Sequence, residues 1–267
     1  MNHLGRLVFS LTILFSAPLS AAFTLPEPDL SELTDDRPLH RRELASPSCS
    51  SFNELNDMIR DGKIDRQRAQ VEFKRRLGEV RREYYGRNGH NFSEKDWVFP
   101  VAGYDARAIG GGKRHGFIAG GYDYFSGNRH GGHAAYDIFI LDRNQDGRDD
   151  RNGKRVTILS MTGGIVVALA DDWKPGSALR GGKYIWVYDP ANELLVYYAH
   201  NEKLIATLGD ILEPGDPLAS MGRSGLNAFK KRSPTHLHFG VARVTGDDVR
   251  PVNVYEKLKA SRKMRRD

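Results

Sequence analysis

The stretch Pro234-Thr235-His236-Leu237-His238-Phe239-Gly240-Val241 opens a β-prone run that continues to Val244. Its two histidines are two residues apart. A helix places such a pair on opposite sides, whereas a strand places both on one face, so they can serve one site only if this run is a strand. Working outward, short runs rich in Val, Ile, Tyr and Phe alternate with glycine-containing turns from Trp97 onward. YDIFIL, VTILSM, GGIVVALA, YIWVYD, LLVYYAH and HLHFGVARV are the candidate strands, and their lengths and turn signals predict a mainly antiparallel β domain over residues 97–255. A Lys/Arg-rich tail, 256–267, follows it.

Two further histidine motifs fall on these strands. In GGHAAYDIFIL, His133 and Asp137 are four apart; the preceding glycines and the following β-branched and aromatic run argue against helix, and on a strand both side chains share a face. In LLVYYAHNEK, His200 ends a strongly β-prone run, where a side chain commonly faces a groove. Tyr197 and Tyr198 alternate faces, so one is expected in the core and the other in the groove. His130, three residues before His133, reads as a rim or turn residue, and Arg223 in GRSG as a solvated turn.

Composition narrows the chemistry. The chain has 267 residues, 39% hydrophobic and 28% charged, enough for one large domain or one domain with an appendage, and neither disordered throughout nor fibrous. Its formal charge of +6 favours anionic partners. The single cysteine, Cys49, excludes an intrachain disulfide and a cysteine-built zinc cluster, so a metal here needs histidine and carboxylate ligands. A catalytic zinc takes three protein ligands, leaves a fourth position open and lowers the pKa of a bound water towards about 7. His133, Asp137 and one of His236 or His238 supply that set, and spacing leaves the choice within the pair open. The remaining two histidines suit proton transfer and stabilisation of a tetrahedral intermediate.

The N-terminus sets the compartment. MNHLGRLVFSLTILFSAPLSAAF has one cationic residue, Arg6, an apolar stretch from Leu7 to Leu19 and small residues to Ala22, the pattern of a signal peptide over 1–22. The apolar stretch is too short for a comfortable span of about 20 residues, so the mature protein is expected to be exported and free of the membrane. Export removes nucleic acid from the partners, and the short signal without wall-anchoring repeats favours the periplasm over the extracellular space. Residues 23–50 read as a linker or propeptide-like arm. Over 51–90, Phe52, Leu55, Met58, Ile59, Ala69, Phe73, Leu77, Val80 and Tyr84 recur at helical spacing, in two pieces broken near Asp61-Gly62. Lys74, Arg75, Arg76, Arg81 and Arg82 between them form a basic outer face. One loop resembles a calcium loop: Asp142, Asn144, Asp146 and Asp150 fall on ligand positions, but Gly153 stands where a bidentate Glu is usual.

Taken together, His133-x-x-x-Asp137, Tyr198-Ala199-His200 and His236-Leu237-His238-Phe239 resemble the motifs of the lysostaphin and LytM-type zinc metallopeptidases, family M23. The resemblance covers residues 97–252. It implies a curved antiparallel sheet with an open catalytic groove, zinc held by His133, Asp137 and His238, with His200 and His236 as base and transition-state stabiliser, and cleavage of amide bonds in peptidoglycan peptides. Asn201 departs from the pattern, in which leucine usually follows Tyr-Ala-His, and the segment 141–155 is longer than the usual connection. Two other functions remain in view: a non-catalytic LytM-like envelope regulator that activates a wall amidase, and a basic wall-binding module whose histidines are incidental.

Overall fold

The computed structural model describes residues 46–129 and 131–265. The signal peptide, most of the 23–50 arm and His130 lie outside the described residues.

Helix α1, Pro47–Arg60, begins where the Ser46 hydroxyl accepts the Cys49 N–H and Pro47 occupies the first turn. It ends at Asp61, and Gly62 takes the left-handed backbone that reverses the chain. Helix α2, Arg66–Gly86, is capped by Asp65, whose carboxylate accepts the Arg68 N–H. The helical periodicity and its break at Asp61-Gly62 are thus found as read.

Ten strands follow: β1 Tyr136–Phe139, β2 Thr157–Leu159, β3 Gly164–Ala170, β4 Lys183–Asp189, β5 Leu194–Asn201, β6 Lys203–Leu204, β7 Ile211–Leu212, β8 Pro217–Ser220, β9 His236–Thr245 and β10 Asp248–Pro251. Seven build one antiparallel sheet in the order β1-β9-β5-β4-β3-β7, with β10 paired to β9, and β2-β8-β6 form a smaller sheet. The fold class is that expected, mainly antiparallel β with a short helical segment before it. The short strands β6, β7, β8 and β10 carry too few residues for a readable alternation. Residues Tyr255–Ala260, at the start of the basic C-terminal stretch, form helix α3 and bury Leu258.

The large sheet is covered on both faces. Leu237, Phe239 and Val241 of β9, with Val196 and Tyr198 of β5, enter a core shared with Ile158, Leu218 and Ala219 of the small sheet. On the other face, Ala242 and Val244 of β9 and Leu195 of β5 meet Phe52, Leu55, Phe73 and Leu77 of the helices. The helical pair therefore shares a core with the sheet. Its charges are largely paired: Arg75 with Glu72 and Glu79, Arg76 with Glu72, and Arg81 with Glu193. The basic outer face read from the sequence is correspondingly reduced, because carboxylates at i±3 and i±4 and on β5's flank face those arginines.

Two outcomes follow. Phe73→Ala should cost about 3–5 kcal/mol, and urea unfolding monitored by helical and by aromatic signals should remain one coincident transition. Burial pushes the Cys49 thiol up to about 11, so it should resist Ellman's reagent in the native protein and react fully in denaturant.

Candidate active site

His133, Asp137, His200, His236 and His238 all line one cleft of about 350 Å³. The strand register explains most of this. β1 pairs with β9 so that Asp137 stands opposite His238, and β5 pairs with β9 so that Ala199 stands opposite the same histidine. Cross-strand partners project to one side, and His236 follows by alternation along β9. The strand reading of His-x-His is what the structure shows.

His133 arrives differently. β1 begins only at Tyr136, so strand alternation does not carry His133 to Asp137. Instead, His133 exchanges two backbone hydrogen bonds with Ile118, at 2.8 and 2.9 Å, and the chain bends between them. Gly132 makes the approach possible: its φ is +69°, and a Cβ there would stand 2.8 Å from the Ile118 carbonyl.

His200 also departs from simple alternation. Ala199 shares the site face, so a regular strand would send His200 to the core side with Tyr198. The β4–β5 register slips between Lys183/Tyr184, pairing them with Asn201 and Ala199 and leaving His200 as the extra residue. With φ of +70°, this bulge turns its ring into the cleft. The His200 ring centroid lies 5.0 Å from that of His236 and 5.5 Å from that of His238.

The donor atoms converge. Asp137 Oδ1 is 3.1 Å from His238 Nδ1, 3.3 Å from His133 Nε2 and 3.7 Å from His236 Nε2. Among the described residues, His133, Asp137 and His238 form a group whose ligand atoms lie within 4.8 Å of one another, a geometry compatible with one metal ion. Backbone carbonyls orient the rings: Gly116 for His133 Nδ1 at 2.9 Å, Ser224 for His200 Nδ1 at 2.8 Å, and Pro234 for His236 Nδ1 at 2.7 Å. A carbonyl only accepts, so each Nδ1 carries the proton; the Nε2 of a neutral ring then presents its lone pair, whereas the Nε2 of His133 faces and donates to Asp137 Oδ1.

Electrostatics follow the same geometry. Burial opposes ionisation of Asp137, but hydrogen bonds from His133 and His238 prevail and hold its carboxyl far below the usual range. His133 is raised, first by its hydrogen bond to Asp137. His238 and His200 are both lowered by burial; for His200 the neighbouring His238 and His236 add to the effect. Neutral imidazoles are the form that can bind a metal or accept a proton.

The cleft has parts that the motifs did not reveal. Tyr184 and Trp186 of β4 also line it, and the Tyr-x-Trp alternation in YIWVYD carries that signal; Tyr197 of β5 lines it too, as the groove-facing member of the Tyr197-Tyr198 pair. Tyr198 instead lies in the core, its hydroxyl accepting the Met161 N–H. Asn56, Ile59 and Arg60 of α1 line one end, where Asn56 Nδ2 and Arg60 each donate to the Tyr184 hydroxyl at 3.0 Å.

The acids of the inserted loop are engaged with protein donors. Buried Asp142 accepts from the Asp146 and Gly147 N–H groups and, at 2.6 Å, from the Thr235 hydroxyl. Asp146 and Asp150 accept from the Arg148 and Arg143 N–H groups. Calcium therefore finds no support here; the loop braces the residue preceding His236. Arg223 acts beside it, donating to the carbonyls of Ser233 and Lys230 at 2.6 and 3.0 Å, and is an anchor of this segment rather than a solvated turn.

Residues 143–251 match peptidase family M23. The M23 match agrees with the motif resemblance and supports a peptidase; it covers less than half of the chain, takes in His200, His236 and His238, and begins after His133 and Asp137. No curated protein matches the sequence. Similar solved structures include a Ruminococcus gnavus protein designated LytM, 20% identical, covering 84% of this chain and 91% of that one with a TM-score of 0.41. A zinc containing peptidase from Vibrio cholerae is 19% identical, with coverages of 61% and 39% and a TM-score of 0.37. Lysostaphin from Staphylococcus simulans is 18% identical, with coverages of 54% and 48% and a TM-score of 0.34, so the chain spans about half of its length.

The bracing role of the inserted loop is open to measurement. Thr235→Val should lower stability by about 1.5–3 kcal/mol, the cost of removing a hydrogen bond to a charged group, and millimolar calcium should leave the melting temperature of the native protein unchanged.

Proposed function

We propose that the protein is an exported zinc-dependent endopeptidase that hydrolyses amide bonds in peptidoglycan peptides and works in the periplasm. The observation that carries this reading is the convergence of a His-Asp-His donor set with two further histidines on one cleft. The donors suit zinc, which accepts nitrogen and carboxylate oxygen and needs no thiolate. Zinc held by His133, Asp137 and His238 would polarise the scissile carbonyl and acidify water there.

The chain's own residues supply the rest. His200, neutral and with Nε2 as acceptor, takes a proton from the attacking water and returns it to the leaving amine. His236 presents its Nε2 to the same space and, when protonated, stabilises the developing oxyanion. Asp137, negative and hydrogen-bonded to two histidines, keeps the donor set assembled. Tyr184, Trp186 and Tyr197, packed ring against ring, give the cleft an aromatic wall against which a peptide can lie. Peptidoglycan as substrate is supported by the motif resemblance, and export by the character of residues 1–22.

The purified protein should carry zinc and release muropeptides from purified sacculi. His238→Ala should lose both metal and activity, whereas His200→Ala should keep the metal and lose about 10²–10⁴-fold in kcat. Normal digestion by His238→Ala would overturn the assignment, and sacculus binding without product release would favour the regulator. Mass spectrometry of the protein from its native envelope should find a chain starting at Phe23; an intact chain from Met1 would count against export.

A further inference from the structure

We infer that Asn201 and Ser224 are positioning residues that set the His200 imidazole, a role that rests on the peptidase reading above. His200 is the extra residue of the β4–β5 bulge and has a backbone conformation that non-glycine residues seldom adopt. Such a conformation persists where the surroundings over-determine it. Asn201 is buried and donates through Nδ2 to the Lys183 carbonyl at 3.1 Å and the Tyr198 carbonyl at 3.0 Å. One acceptor lies on β4 and the other on β5, so a single amide spans the register slip.

Ser224 completes the arrangement from the opposite side. Its hydroxyl donates to the Asn201 carbonyl at 2.7 Å and accepts the Lys183 N–H at 2.8 Å. Its own carbonyl accepts the His200 Nδ1–H at 2.8 Å, while the His200 N–H donates to the Gly181 carbonyl at 2.9 Å. The His200 backbone is thus tied to the Gly181 carbonyl, and its ring to the carbonyl of Ser224, a residue whose side chain links Asn201 to the β4 edge of the slip. The fit is close: Gly225 has φ of +112°, and a Cβ on it would stand 2.8 Å from His200 Nδ1.

The chemistry of Asn201 argues against packing alone. Both groups facing its Nδ2 are carbonyls, so the donors orient the amide, and its buried Oδ1 meets no protein donor. A buried polar atom left without a partner calls for an explanation. An apolar side chain such as leucine, usual at this position in the family the motifs resemble, would fill the space without that cost but could not bridge the two carbonyls.

The test compares the full-length, zinc-loaded protein with Asn201→Leu, Asn201→Asp, Ser224→Ala and Ser224→Thr. Asn201→Asp keeps the shape and removes both donors. The two Asn201 variants and Ser224→Ala should lose about 10²-fold in kcat, the scale expected for a misplaced catalytic group, with KM and bound zinc unchanged. Ser224→Thr, which retains the hydroxyl, should recover most of kcat. In ¹⁵N-labelled protein the His200 Nδ1–H resonance should persist in Ser224→Thr and shift or broaden in the other three. Wild-type kcat together with an unmoved resonance in Asn201→Leu overturns the inference, as does a loss of kcat matched by loss of zinc. A wild-type protein that releases nothing from sacculi defeats the peptidase reading instead, and the resonance then decides the positioning role by itself.

Discussion

The two-residue alternation of β9 is the constraint on which the rest of the molecule depends. One face of this strand supplies Leu237, Phe239 and Val241 to the core shared with the small sheet. The other carries His236 and His238 at one end, Ala242 and Val244 under the helices at the other, and Gly240 between. Each fully buried aliphatic or aromatic side chain contributes about 1.5–3 kcal/mol. A slip of one residue would exchange these side chains for imidazoles and forfeit that burial, so apolar packing holds the register that aligns the polar site. The chemistry is thus placed by residues that take no part in it.

His133 and His200 reach the cleft only where regular structure is interrupted. His133 comes through a bend at Gly132, and His200 through a bulge. His236 is preceded by Thr235, which is tied to Asp142 in the inserted loop. Regular strands align Asp137 with His238, but five side chains from neighbouring segments cannot all converge by alternation. The irregular positions use positive φ, carbonyl acceptors and buried side-chain hydrogen bonds to achieve what the pleat does not.

This division also governs what could be read in the sequence. Alternation in HLHFGVARV and the spacing of the helical apolar residues are local properties with strong periods, and both survive into the fold. His133 and Asp137 do share a site, but through a bend rather than the assumed strand. His200 carries no local sign of its bulge, because the slip is a property of the pairing between β4 and β5. The calcium-like spacing of Asp142, Asn144, Asp146 and Asp150 was real as spacing. Its donors turned out to be backbone N–H groups and Thr235, a partner 93 residues away in the chain. The carboxylate partners of Arg75 and Arg76 lie at helical spacing in the sequence, whereas Glu193 meets Arg81 only when α2 packs beside the sheet.

The helical pair has a consequence for modularity. Its apolar side chains lie against Ile165, Val167, Leu195, Ala242 and Val244, on the same sheet face that carries the site. Excising the β segment as a cassette would uncover that face beside the cleft and remove the wall formed by Asn56, Ile59 and Arg60. The helices and sheet therefore share one core, and recombination at the boundary near residue 90 would cut through that core rather than a linker.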